Sequence, residues 1–110
     1  LFVLPSLAFE GFGLVTLEAL ACGTPALGTP IGATPEILTA LAPQLVLSGT
    51  EVHAIRRGIR AMLEWLSDDS AAARLRGLCR SYVEDNYGWE PAVDELERTI
   101  AGLLGEDPDG

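Results

Sequence analysis

The sequence predicts an α/β fold, a partial doubly wound parallel sheet with flanking helices. Three observations point to it. Short apolar runs at residues 1–4 and 45–47 and a short strand candidate at 25–29 alternate with stretches of helical periodicity, and Gly and Pro punctuate the junctions between them. The 110 residues, 48% of them hydrophobic, suffice for one domain with a core and leave no room for a second. Strands alternating with helices imply right-handed crossovers and a sheet covered on its faces. Three short strands make a thin sheet, as expected of a segment that begins partway through a larger domain.

Each element has a local cause. Leu1-Phe2-Val3-Leu4 lacks polar alternation and ends at Pro5-Ser6, so it reads as a strand buried on both faces. Gly11 and Gly13 then make a loop. Leu14, Leu17, Glu18, Ala19, Leu20 and Ala21 are apolar residues and good helix formers, and Gly23 stops that helix near residue 21 as a left-handed cap, with Pro25 just beyond. Residues 25–29 form the second strand. Gly32-Ala33 turns into Thr34-Pro35-Glu36, where Thr34 is expected to cap a short helix over 36–41, Pro35 takes its first position and Glu36 sits in the positive first turn. Residues 45–47 are a third strand candidate, closed by Ser48-Gly49. The remainder is helical. Val52, Ile55, Ile59, Met62, Leu63 and Leu66 share one apolar face, with Arg56, Arg57, Arg60 and Glu64 turned mostly outward. Leu75, Leu78, Cys79, Tyr82 and Val83 repeat the spacing up to Asn86-Tyr87-Gly88, and Val93, Leu96, Ile100 and Leu103 mark a last helix. The domain is placed at residues 1–105; residues 106–110 are a polar tail expected to fray.

Charge narrows the function. Sixteen Asp and Glu stand against seven Arg, Lys is absent, and the net charge is −9 with a pI near 4.3. That balance argues against nucleic acid or an anionic membrane as partner, because phosphate-rich surfaces are held mainly by clustered Lys and Arg. Arg56, Arg57 and Arg60 form no stripe with interleaved aromatics. No apolar run approaches the roughly 18 residues of a membrane span, so any peripheral membrane association is expected only through a domain outside this segment. Residues 1–50 hold no cation and three anions, Glu10, Glu18 and Glu36, which marks this half as buried or site-forming. The chain opens without an initiator Met, a basic leader region or a cleavage pattern, inside an apolar run, as expected of a piece of a longer chain.

The chemistry concentrates between Pro5 and Ala19. Glu10 and Glu18, with seven residues between them, bracket a glycine loop that opens a helix just after a buried parallel strand. Ligands of open parallel sheets sit beyond the carboxyl ends of strands, and a helix start with free N–H groups binds phosphate without any cation. Gly11 and Gly13 let backbone come close to such a ligand. Eight positions at helical rise cover about 12 Å, less if the loop folds back. This disfavours a glycosidase-like acid and base pair, whose carboxyls lie roughly 5 to 9.5 Å apart. It suits a ligand with hydroxyls at both ends and phosphates between, and a nucleotide-sugar is such a ligand.

The segment resembles the carboxyl-terminal domain of retaining GT-B glycosyltransferases of the group 1 type (family 4-like). The pattern stands here as Leu4-Pro5-Ser6, Glu10-Gly11-Phe12-Gly13, Glu18-Ala19-Leu20-Ala21-Cys22-Gly23-Thr24-Pro25 and Gly32-Ala33-Thr34-Pro35-Glu36. Trp89 falls where the family often has an aromatic-Trp pair. The match is dense over residues 1–40 and diffuse beyond. The resemblance implies a Rossmann-like half of a GT-B enzyme that transfers a sugar from a nucleotide-diphosphate donor with retention, cytoplasmic, without metal or other cofactor. It implies Glu10 as the catalytic-site residue on the donor sugar's hydroxyls and Glu18 on the ribose. Phe12, Gly13, Leu14 and Val15 would then meet the sugar and diphosphate through their backbone, with the Thr16 hydroxyl on a phosphate oxygen. It also implies partners: a sugar or lipid acceptor and an amino-terminal domain of the same chain. The family's Lys and Arg from the start of this domain, and its His from the other domain, have no counterpart in residues 1–50, and Ala33 replaces the second glycine of a Gly-Gly loop. Two other classes stay open: a non-catalytic donor-binding or structural module, and a GT-B relative such as a nucleotide-sugar epimerase.

The other conspicuous residues have plainer roles. Glu36 reads as a first-turn charge that stabilises its helix, and Thr34 as a cap. Cys22 and Cys79 are expected to be buried, reduced packing residues. His53 stands alone without metal or triad spacing, and Trp65 and Trp89 are core or interface anchors.

Overall fold

The computed structural model describes residues 1–8, 11 and 13–105, so Glu10, Phe12 and the tail 106–110 lie outside the described residues. Strands β1 (Phe2–Leu4) and β2 (Ala26–Gly28) pair in parallel, with Phe2 opposite Ala26, Val3 opposite Leu27 and Leu4 opposite Gly28. Helix α1 (Leu14–Ala21) connects them, and α2 (Thr34–Leu41) follows β2. A 3-10 turn (Pro43–Leu45) leads to three longer helices: α3 (Val52–Leu66), α4 (Asp69–Tyr87) and α5 (Trp89–Leu104). The result is a mixed α/β arrangement in which helices flank a small parallel sheet.

Two strand expectations are corrected. β1 is half-buried along its length, whereas β2 is fully buried. Among the described residues β1 has a strand neighbour only on the β2 side, so the coverage that its apolar run anticipates is incomplete. The third strand shrinks to one parallel bridge between Gly28 and Val46, with the Leu47 amide donating to the Gly28 carbonyl at 2.7 Å. Pro43 begins a 3-10 turn in which the Leu45 amide bonds to Ala42 and the Val46 amide to Pro43, and this takes Leu45 out of any ladder.

Helix α1 ends as its sequence dictates. Gly23 is left-handed at φ +76°, its amide donates to Leu20, and the Thr24 amide donates to Ala19, both at 2.9 Å. That is the Schellman closure, which satisfies two carbonyls at the helix end. α4 begins on Asp68, whose side chain accepts from the amides of Ser70 at 2.9 Å and Ala71 at 3.1 Å, a cap the periodicity did not reveal.

The core joins Leu17 and Leu20 of α1, Leu27 of β2, Ile37 and Leu38 of α2, Leu45 and Leu47, Met62 of α3, and Leu75 and Cys79 of α4. α1 packs along α4, and α3 comes close to the sheet at Gly58, where a Cβ would strike the Leu47 side chain. Helix α5 contributes nothing to this core. Its stripe of Trp89, Val93, Leu96, Ile100 and Leu103 is exposed, Trp89 to 87%, so Trp89 is not a core residue, while Trp65 packs partly buried against the core. No helix among the described residues is long and apolar enough to cross a membrane.

Candidate functional site

Parallel pairing sends the carboxyl ends of β1 and β2 to the same edge of the sheet, where each runs into a loop and then a helix start. Thr29, just past β2, ties the two loops together. Its amide donates to the Leu4 carbonyl at 3.2 Å and its buried hydroxyl donates to the Ser6 carbonyl at 2.6 Å. The arrangement is the strand, loop and helix junction at which open parallel sheets hold ligands.

Gly13 is the pivot. It takes φ +80°, ψ 28° as the residue that enters α1, and a Cβ there would lie 2.7 Å from Ile37 Cδ1 of α2. Glycine is required twice over, by backbone conformation and by the helix beneath. The first helical hydrogen bond runs from the Leu17 amide to the Gly13 carbonyl at 3.0 Å, which leaves the amides of Leu14, Val15 and Thr16 without helical partners. Among the described residues no side chain caps this helix start and no acid lies in its first turn, so its amides face outward without a capping oxygen there. The start of α2 differs, since Glu36 stands in its first turn, exposed, as the sequence implies.

The side chains of Leu14, Val15 and Glu18 are exposed, and Glu18 lies four positions from Leu14 and three from Val15, on one face of α1. Thr16 points the other way. It is 1% exposed, and its hydroxyl has no hydrogen-bond partner among the described residues. Gly11 is exposed with no atom within 4 Å of where its Cβ would stand, so the loop is open there. The structure therefore brings Gly13, Leu14, Val15, Thr16 and Glu18 to one helix start, while Glu10 and Phe12 lie outside the described residues.

Two neighbours behave differently from expectation. Thr34 does not cap α2: Ala33 holds the cap position without a side-chain bond, and Thr34 lies buried inside the first turn. Its Cγ2 packs where a Gly28 Cβ would be, 2.5 Å away, so its methyl fills the space over β2. Cys22 is exposed at the end of α1 rather than buried, because the Schellman turn carries it to the outside; Cys79 is buried, as expected, and both thiols are free. Burial pushes the Cys79 thiol up to about 11. Ala33 sits at φ −78°, where alanine is unstrained, and the left-handed position of that loop, φ +60°, falls on Gly32.

Sequence reasoning missed Tyr82. Its hydroxyl donates to the Ile37 carbonyl at 2.5 Å, from α4 to the first turns of α2, and Tyr87 meets its ring edge-on at 5.8 Å and 71°. Burial, with Tyr87 and then Glu36 alongside, holds the phenol well above its ordinary range, so it stays a neutral donor. The signal was present: a tyrosine on an apolar helix face needs a partner for its polar tip. A cavity of about 330 Å³ opens beside this junction, between Leu14 and Leu17 of α1 and Asn86, Tyr87, Pro91 and Glu95 of the α4–α5 corner.

Fold and site together define a class, an α/β unit with a helix start at the carboxyl edge of a small parallel sheet. The family model described as "Glycosyl transferases group 1" matches residues 1–76, and the chain belongs to that family. It is 33% identical over 91 residues to the GDP-mannose-dependent monoacylated alpha-(1-6)-phosphatidylinositol monomannoside mannosyltransferase of Corynebacterium glutamicum, a match that covers 83% of this chain and 23% of that protein. It is 33% identical over 96 residues to D-inositol 3-phosphate glycosyltransferase 1 of Catenulispora acidiphila, covering 87% and 22% respectively. With the O-antigen chain mannosyltransferase B of Escherichia coli it shares 37% identity over 91 residues, covering 81% and 22%. The chain thus spans a little under a quarter of the length of these curated relatives. No solved structure matches.

Proposed function

We propose that residues 1–105 are the donor-binding part of a retaining glycosyltransferase, the carboxyl-terminal half-domain of a GT-B fold, acting on a nucleotide-diphosphate sugar. The observation that carries this is the start of α1, which among the described residues has no side-chain cap and no acid in its first turn, and which Gly13 turns toward the carboxyl edge of the parallel strands. Leu14, Val15 and Thr16 amides would receive the diphosphate, while the Thr16 side chain is buried away from the exposed face of Leu14, Val15 and Glu18. Glu18, exposed one turn along, would take the ribose hydroxyls, and Glu10 would take hydroxyls of the sugar, with the Phe12 backbone beside it.

In transfer the bond between the anomeric carbon and the diphosphate oxygen breaks, the acceptor hydroxyl oxygen bonds to that carbon, and negative charge accumulates on the departing diphosphate, which takes up the hydroxyl's proton. Amides fixed at a helix start stabilise that charge with no reorganisation at the moment of reaction. Residues 1–50 hold no cation, so cations from the rest of the enzyme would complete the stabilisation, together with the acceptor site for a sugar or lipid. No metal or other cofactor is invoked, and a cytoplasmic location follows from the nucleotide-sugar donor. GDP-mannose is the donor to test first, because the names of two similar proteins specify it.

Titration of the 110-residue chain with GDP-mannose and with UDP and ADP sugars, alongside an assay of transfer, tests the assignment. Binding of one of them, weakened about tenfold to a hundredfold by Glu18→Ala, supports it. Binding without turnover makes the chain alone a non-catalytic donor module, and absence of binding to all three removes the assignment.

A further inference from the structure

We propose that Tyr82 is a positioning residue for the donor site: through its hydroxyl on the Ile37 carbonyl it fixes the height of α2, and through Ile37 it fixes Gly13 and the first amides of α1. The proposal rests on the donor-site assignment above and adds a residue from outside the motif that carries it.

The chain of contacts is short and continuous. The Tyr82 hydroxyl meets the Ile37 carbonyl at 2.5 Å, 45 residues away in sequence. Ile37 is buried, and its Cδ1 lies where a Gly13 Cβ would be, so Gly13 rests directly on this side chain. Gly13 in turn carries the amides of Leu14, Val15 and Thr16, because the first bond of α1 is made to its carbonyl. A side chain that sits tightly in a packed interior transmits displacement to what lies on it. Tyr87, edge-on to the Tyr82 ring, fixes the plane of the donor. Tyr82 itself is half-buried on α4, which packs against both α1 and α2, so one helix spans and aligns the two helix starts that bracket the site.

Tyr82→Phe keeps the ring and removes the donor. In the 110-residue chain it is expected to weaken binding of the nucleotide-diphosphate sugar that the wild type binds by about two- to tenfold, the size of one net hydrogen bond. In the full enzyme it is expected to raise donor KM by a similar factor with kcat and acceptor KM little changed. Arg80→Ala is the control. It removes another hydrogen bond on α4, from Arg80 Nε to Glu84 Oε1 at 3.1 Å, without touching Tyr82 or Ile37, and is expected to leave donor affinity unchanged.

Ile37→Val, which trims the methyl under Gly13, tests the same path independently of Tyr82. It is expected to weaken donor binding, and the double variant to weaken it by less than the product of the two. Equal donor affinity in wild type, Tyr82→Phe and Ile37→Val overturns the positioning role while leaving the donor site standing. Multiplicative effects of the two changes also overturn it. A wild type that binds no nucleotide-sugar overturns the site itself.

Discussion

Gly13→Ala separates two costs that the structure places on one atom. Alanine at φ +80° is in the left-handed region, which costs about 1 to 2 kcal/mol. Its Cβ would also stand 2.7 Å from Ile37 Cδ1, closer than packed carbons approach, and forcing such a contact in a core costs about 1 to 3 kcal/mol more. The expected loss is about 2 to 5 kcal/mol, a large share of the roughly 5 to 15 kcal/mol of a domain this size. Gly23→Ala supplies the reference. It has the same kind of backbone, φ +76°, but its nearest atom is the Arg76 carbonyl oxygen at 3.6 Å, an ordinary contact, so it should cost only the backbone part. Urea unfolding followed by circular dichroism gives both values, with an unchanged slope as the check on two-state behaviour. Ile37→Val removes the offending methyl and alone costs about 0.5 to 1.5 kcal/mol. Combined with Gly13→Ala it should cost less than that or restore stability. The account is refuted if Gly13→Ala destabilises no more than Gly23→Ala, or if Ile37→Val costs the same with and without the change at Gly13.

Three further outcomes follow from other parts of the molecule. Glu18→Ala, at an exposed helix position, should leave the unfolding midpoint nearly unchanged while reducing donor affinity about tenfold to a hundredfold, as loss of a hydrogen bond to a charged group requires; in the full enzyme it and Glu10→Ala should cut transfer strongly, and near wild-type turnover in both contradicts the site. Cys79, with its thiol at about 11 in the folded chain against 9.0 ordinarily, binds its proton more tightly folded than unfolded; its stabilising contribution is complete below pH 9 and lost as pH rises through about 11, so Cys79→Ala should flatten the alkaline fall in stability, and an unchanged slope counts against the burial argument. The open apolar stripe of α5 should make the isolated chain self-associate, with Leu96→Glu and Ile100→Glu lowering the mass seen in sedimentation; a wild-type chain that stays monomeric at all concentrations contradicts this.

What the sequence disclosed was mostly local. The α1 boundaries, the glycine turn at Gly23, the second strand and the later helices follow from patterns read within a few residues, and the motif from Pro5 to Ala19 placed its helix start correctly. Failures came where distant packing or an adjacent turn overrode local preference. Thr34 has the chemistry of a cap, but the space above Gly28 makes its methyl more useful inside the first turn. The apolar run at 45–47 looks like a strand, yet Pro43 starts a tight turn that leaves one residue to pair. The place of Tyr82 on an apolar helix face called for a polar partner, but nothing in the sequence named Ile37 as that partner or placed Ile37 under Gly13, because both contacts join segments far apart in sequence.

The central claim is that the start of α1 holds the diphosphate of a nucleotide-sugar. Calorimetric titration of the 110-residue chain with GDP-mannose, beside the UDP and ADP sugars and free mannose, tests it most directly. The account predicts saturable binding of one nucleotide-sugar, none of free mannose, and marked weakening by Gly13→Ala in a chain shown to remain folded. Absence of binding to every nucleotide-sugar, or binding that Gly13→Ala leaves untouched, contradicts it.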